Sequence, residues 1–339
     1  MKFKRITALL LILSVIAALS GCKMPDSSDP VKSRNVVTIR YNKNYDTGVA
    51  EVYWGSELFE KDPDEFSLDL AKASAALCAA SNDRSGRLGY GEFIADAMDD
   101  LGLEDIWLYS YNKYSGKKAT VETDGADWDL STAFAIGHQT MTAADGHDFE
   151  VIVVVCRGTE GWQDAVFFDF VGSLSLAAET WEGYDTYLGY ANFASQIKNA
   201  LIDYVNNYAD TFASEVKFLF TGHSLGGAPV QLLTACFQDA DKCAYGYTFG
   251  SLNATDKPHT EYDIWNIYNT YDDYGPDGEE FFKPSGGWYT YDNKYGKVLL
   301  FTFDFGTVFT SPDGYYNHVM AGYYGALRDG LLDEEGRET

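Results

Sequence analysis

The sequence predicts an α/β protein built on a mostly parallel, doubly wound sheet flanked by helices. Three observations carry that prediction. The run Val151-Ile152-Val153-Val154-Val155 is apolar without a break, as in a strand covered on both faces of a parallel sheet. Strand-like and helical stretches alternate along the chain, the pattern of successive βαβ units. Residues 36–339 form one stretch long enough for a single large domain.

Each element has its own signal. Val36 to Tyr41 and Val49 to Trp54 are strand-like. Phe66 to Ser81 is predicted helical, because Phe66, Leu70, Ala73 and Leu77 share a stripe. Tyr90 to Leu101 reads as a second helix, stopped near Gly102. Ile106 to Tyr111 alternates like a strand. Thr132 to Met141 and Glu150 to Cys156 read as strands around the turn Ala144-Asp145-Gly146. Tyr190 to Tyr208 is amphipathic, with Phe193, Ile197, Ala200, Leu201, Tyr204 and Val205 on one face. Val216 to Thr221 is a buried strand, Leu225 to Phe237 a helix and Tyr245 to Phe249 a strand. Ile264 to Asn269 and Val298 to Phe303 are further strands, and His318 to Leu327 is the last helix.

The N-terminus has a separate task. Lys2, Lys4 and Arg5 precede an apolar run from Ile6 to Leu19, so residues 1–21 read as a secretory signal and stand outside the fold. Leu19-Ser20-Gly21-Cys22 resembles the bacterial lipobox. That resemblance implies cleavage before Cys22, a lipid on its sulfur, and an exported protein anchored to the cell envelope or surface. Residues 22–35 are polar, with two prolines, and cannot bury enough apolar surface to offset ordering. They are expected to form a tether.

Without residues 1–21 the chain holds 22 Lys+Arg against 51 Asp+Glu, a net charge of −29. Such a field disfavours nucleic acid and anionic lipid headgroups. Beyond Cys22 the cysteines are Cys78, Cys156, Cys236 and Cys243. An exported protein can keep disulfides, and the short Cys236–Cys243 loop is the pairing the spacing favours. Cys156, inside an apolar strand, is expected to be a buried free thiol. No C-x-x-C pair and no histidine cluster has metal-ligand spacing, and the acidic run from Asp272 to Glu280 breaks the calcium-loop pattern. Neither a metal nor a cofactor is expected.

The strongest chemical signal is Phe218-Leu219-Phe220-Thr221-Gly222-His223-Ser224-Leu225-Gly226-Gly227. It is G-x-S-x-G between a buried strand and a helix, the nucleophile elbow of an α/β-hydrolase fold. A strained strand-to-helix turn would present Ser224 Oγ above the strand's carboxyl end, with the Leu225 N–H facing a developing oxyanion. Chain order in this fold runs Ser, acid, His. His138 and His147 precede Ser224, as does His223, which is expected to pack structurally in the elbow. His259 leaves little room for an intervening acid, so His318 is the candidate base.

Four blocks then resemble the class 3 lipase family, the fungal triacylglycerol lipases and their bacterial relatives. They are Val155-Cys156-Arg157-Gly158-Thr159, the elbow Thr221 to Gly227, Tyr247-Thr248-Phe249-Gly250-Ser251, and Asn269-Thr270-Tyr271-Asp272 with the later Asn317-His318. Cys156 stands where the family carries an aromatic, and Leu252 where it carries proline. The resemblance implies an oxyanion role for Thr159 beside Leu225, and Asp272 as the acid, with the adjacent Asp273 left open. It also implies a lid over Trp162 to Gly189. Arg157 is read as a structural ion-pair partner.

The function expected is a serine carboxylic-ester hydrolase acting on lipid esters through an acyl-serine. A feruloyl-type polysaccharide esterase stays open within the same fold family. So does a non-catalytic surface lipoprotein with a hydrolase fold.

Overall fold

The computed structural model describes residues 35–43, 46–82, 91–109, 119–123, 133–158, 181–272, 294–303 and 318–339. All of these residues except Asn35 belong to the unit Val36–Thr339. The expected signal segment and Cys22 lie outside them.

Strands β1 (Val36–Lys43) and β2 (Asp46–Tyr53) form an antiparallel pair of their own. The main sheet uses β3 (Glu104–Tyr109), β4 (Ala119–Thr123), β5 (Phe134–Thr142) and β6 (Asp148–Cys156). It continues with β7 (Glu215–His223), β8 (Cys243–Phe249), β9 (Ile264–Asn269) and β10 (Lys297–Phe301). The strand order is β10-β9-β8-β7-β6-β5-β3-β4. From β6 to β10 every neighbour is parallel. The β5–β6 hairpin and the β5–β3 pairing are the antiparallel exceptions. This is the mostly parallel sheet of an α/β-hydrolase fold.

The helices are α1 (Leu68–Ser81), α2 (Glu92–Asp100), α3 (Leu188–Tyr208), α4 (Gly227–Asp239) and α5 (Met320–Arg328). Helix α1 starts at Leu68 because the Ser67 hydroxyl accepts the Leu70 N–H at 3.2 Å, satisfying one of the orphan donors of the first turn. The β5–β6 turn closes where Gly146, at φ +90°, donates its N–H to Ala143 O at 2.9 Å.

The apolar run of β6 divides between two cores, as the two-residue period of a strand requires. Val151, Val153 and Val155 face α1, α2, α5 and the β1–β2 hairpin. Ile152, Val154 and Cys156 face α3 and α4. The sheet is therefore covered on both sides, which is why its central strands carry no polar alternation.

One expectation needs correction. The Cys236–Cys243 disulfide is not formed, and all four described cysteines are free thiols. Cys236 packs into the core beneath α3 and α4, whereas Cys243 packs into the core on the other side of the sheet. Seven residues apart in sequence, they are separated by the sheet itself. Cys156 is a fully buried free thiol. The edge strand β4 was not foreseen, because Ala119-Thr120-Val121-Glu122-Thr123 has one large apolar residue and no contrast to alternate.

Candidate active site

Strand β7 ends in His223, and Ser224 opens a tight 3-10 turn, Ser224–Gly226, that leads directly into α4. Ser224 sits at φ +51°, a left-handed conformation that costs a non-glycine residue about 1–3 kcal/mol. The turn is jammed against the end of β6. A Cβ on Gly226 would lie 2.5 Å from Cys156 O and 2.6 Å from Arg157 O, and one on Gly222 would run into Gly226 O. Gly226 is thus fixed by contact with the end of the adjacent strand, and Gly222 by the closeness of the turn to itself. Arg157, expected to serve as a structural ion-pair partner, is buried and ties its N–H to Ala133 O at 2.9 Å.

The structure brings Ser224, His318 and Asp272 together, from β7, the start of the segment leading into α5, and the loop after β9. His318 Nδ1 lies 2.8 and 3.0 Å from the two carboxylate oxygens of Asp272. A carboxylate can only accept, so Nδ1 carries the proton. His318 Nε2 is then an acceptor, and the Ser224 hydroxyl donates to it at 2.9 Å. Ser224 is 8 % exposed, His318 6 % and Asp272 2 %, so all three are buried and the carboxylate most completely.

A second layer holds the acid. The Tyr323 hydroxyl donates to Asp272 Oδ2 at 2.6 Å, and the Asn269 N–H donates to that hydroxyl at 3.3 Å. Burial, and then the Asp272 charge, hold the Tyr323 phenol far above its usual range, so it remains a donor. Gly250, at φ +49°, has no room for a side chain: a Cβ there would sit 2.9 Å from Asp272 Oδ2 and 2.9 Å from the Tyr323 hydroxyl.

Nearby, Lys294 is buried, and its Nζ donates to Ser251 O at 3.0 Å and to Asn253 Oδ1 at 2.5 Å. Burial drives its pKa well down. It braces the loop after β8, whose Leu252 N–H reaches Ser224 O at 3.4 Å. Sequence reasoning missed Tyr323 and Lys294. Neither stands in a motif, and each acquires its contact only when segments distant in sequence meet.

The remaining histidines are elsewhere. His138 bonds to the Tyr204 hydroxyl inside the core. His147 pairs with Asp145 at the surface. His259 stacks on Tyr295 and faces Glu261. His223 is buried in the elbow, its Nε2 2.7 Å from His318 O. Leu225 follows Ser224 in the 3-10 turn and is buried. Thr159 and Asp273 lie outside the described residues, as do residues 162–180 of the lid expected over Trp162 to Gly189. Trp181, in the described part of that span, belongs to the core and donates to Ser195 Oγ at 2.8 Å. Among the described residues no three His, Cys, Asp or Glu side chains gather as a metal site requires.

No curated protein sequence matches the chain. Among solved structures, a triacylglycerol lipase described as having a serine protease triad at its catalytic centre is 15 % identical. The match covers 69 % of this chain and 79 % of that one, with a TM-score of 0.40. The lipase of Rhizopus microsporus var. chinensis is 15 % identical over 82 % of this chain and 81 % of its own, at 0.40. A triacylglycerol lipase of Penicillium expansum is 13 % identical over 52 % and 66 %, at 0.35. Residues 153–262, which run from β6 through the elbow and α4 to the approach of β9, carry the sequence signature of the lipase (class 3) family.

Proposed function

We propose that the protein is a serine carboxylic-ester hydrolase that acts on lipid esters, with Ser224 as nucleophile, His318 as base and Asp272 as its orienting acid. The observation that carries this reading is the unbroken chain from Ser224 Oγ to His318 Nε2 at 2.9 Å and from His318 Nδ1 to Asp272 at 2.8 Å. It stands at the carboxyl ends of parallel strands, where open α/β sheets bind ligands. A hydroxyl, a base and an orienting acid in that order make a weak nucleophile effective.

His318 Nε2 removes the Ser224 proton as Oγ attacks the ester carbonyl. The tetrahedral oxyanion is held by the N–H of Leu225 and by the N–H and hydroxyl of Thr159. Asp272 stabilises the imidazolium without taking its proton. His318 returns that proton to the leaving alcohol, and an acyl-serine remains. Water, deprotonated by the same histidine, then releases the acid and restores Ser224. Each oxyanion donor is worth roughly 10²–10³ in rate.

The same reading extends to location. Residues 1–21 act as an export signal, Cys22 carries the lipid, and residues 22–35 tether the enzyme to the bacterial envelope. Two or more acyl chains anchor stably where one would not. A Cys22→Ala chain that still fractionates with membranes would refute the anchor.

Activity is tested with p-nitrophenyl esters from acetate to palmitate, alongside a feruloyl ester and a phospholipid. Turnover of the longer acyl esters is expected. Turnover of the feruloyl ester alone would move the substrate class to polysaccharide esters, and no turnover of any would leave a non-catalytic lipoprotein.

A further inference from the structure

Three contacts outside the triad join into one chain. The Gly158 N–H donates to Asn82 Oδ1 at 3.2 Å. Asn82 Nδ2 lies 3.0 Å from His223 Nδ1. His223 Nε2 lies 2.7 Å from His318 O. The hydrogen positions follow from the ends. His318 O is a peptide carbonyl and only accepts, so His223 Nε2 carries the proton. In the neutral ring Nδ1 is then the acceptor and must face an N–H. Only the amide NH2 of Asn82 satisfies that, which turns Asn82 Oδ1 toward the Gly158 N–H. Both ends therefore fix the same tautomer and the same amide orientation.

These contacts link four separate segments. Gly158 lies two residues past the end of β6 and directly precedes Thr159 in sequence. Asn82 caps the C-terminus of α1. His223 directly precedes the nucleophile, and His318 is the base. The packing agrees with the hydrogen bonds. A Cβ on Gly158 would lie 3.0 Å from His223 Nδ1 and 3.4 Å from Asn82 Oδ1, and the rings of His223 and His318 are 4.6 Å apart.

We infer that Asn82 and His223 are positioning residues that clamp the backbone of His318 to Gly158, just past the end of β6, so that the base holds one fixed position relative to Ser224. The clamp touches no reacting atom. It acts by holding groups whose displacement by about 1 Å can cost about 10² in rate. The inference rests on the triad reading above and adds to it a second, independent support for His318, which Asp272 holds from the ring side.

The test uses the full chain and compares Asn82→Ala, Asn82→Asp and His223→Gln with the wild type. Asn82→Ala breaks both of its bonds. It is expected to lower kcat roughly 10- to 100-fold, with KM within about twofold of the wild type, because the loss is felt in the transition state. The rate of fluorophosphonate labelling at Ser224 should fall in parallel while the final labelled fraction stays complete. His223→Gln keeps an N–H that can reach His318 O and should retain more activity than Asn82→Ala. In Asn82→Asp a carboxylate oxygen faces His223 Nδ1 and draws a proton onto it, so the pH profile of kcat should change shape. Variants that fold and keep the wild-type kcat and pH profile overturn the clamp. A readout that does not need turnover separates this idea from the esterase reading. Nitrogen-15 imidazole spectra should show His223 as the neutral Nε2–H tautomer, replaced by a protonated ring in Asn82→Asp. An Nδ1–H tautomer in the wild type overturns the clamp even where the esterase reading stands. The expected tautomer in a chain that hydrolyses nothing supports the geometry while rejecting the esterase.

Discussion

Replacing Gly226 by alanine probes the contact on which the elbow depends. The backbone at Gly226 is ordinary, φ −67° and ψ −17°, so alanine suffers no conformational strain and the effect is purely steric. Its Cβ would arrive 2.5 Å from Cys156 O and 2.6 Å from Arg157 O. A carbon–oxygen contact relaxes at about 3.3 Å, so the elbow and the end of β6 must separate by roughly 0.8 Å. Both sides are backbone, and no flexible side chain can absorb the change. Overpacking of this kind costs about 1–3 kcal/mol. The same displacement moves Ser224 relative to the strand end that leads to Thr159, and a shift near 1 Å is worth about 10² in rate. Thermal unfolding and kcat on a p-nitrophenyl ester are measured together. The expected result is a lower midpoint with kcat reduced about 10²-fold in the protein that remains folded. A Gly226→Ala variant with unchanged midpoint and unchanged kcat would show that the strand ends are not in the contact described.

Asp272→Asn should lower kcat roughly 10⁴-fold, because an amide facing Nδ1 stabilises the tautomer whose Nε2 cannot accept the serine proton; a fall of less than tenfold would move the acid role to Asp273. Glu150 offers a pH signature. It is buried, Oε1 has no hydrogen-bond partner, and burial raises its pKa. A carboxyl whose pKa is higher folded than unfolded binds its proton more tightly in the folded chain. Its contribution to stability therefore falls as pH rises through the unfolded value near 4.3 toward the folded value. Glu150→Gln should be more stable than the wild type by about 1–3 kcal/mol at pH 8, with the difference vanishing below about pH 4. An equal difference at both pH values in denaturant titrations would contradict the assignment. Finally, burial pushes the Cys78 thiol up to about 12 and the Cys156 thiol well above its usual value. Neither should alkylate in the folded protein, and non-reducing denaturation followed by alkylation and peptide mapping should find Cys236 and Cys243 both modified.

The central sheet was legible because its signals are local. An unbroken apolar strand such as β6 needs two covered faces wherever it lies, and G-x-S-x-G between a strand and a helix has few other uses. His318 was reachable by elimination, since chain order and five histidines leave little choice. The supports of the site were hidden for the opposite reason. Asn82 and His223 are 141 residues apart and Tyr323 and Asp272 are 51 apart, and no local pattern foretells either meeting. The disulfide expectation failed because loop length was considered without the sheet between the two thiols. Ser67 shows a milder limit: the stripe including Phe66 was right about the buried face, but the cap moved the helix start to Leu68.

The central claim is that Ser224 is a hydroxyl activated by His318, and covalent labelling tests it most directly. Intact mass before and after treatment with a fluorophosphonate probe, followed by peptide mapping, counts and places the adduct. The account predicts one adduct on Ser224, absent in Ser224→Ala and strongly slowed in His318→Ala, since an unassisted serine is a weak nucleophile. A folded protein that takes no label, with detergent micelles present as well as without, would contradict it, as would a label on any other serine.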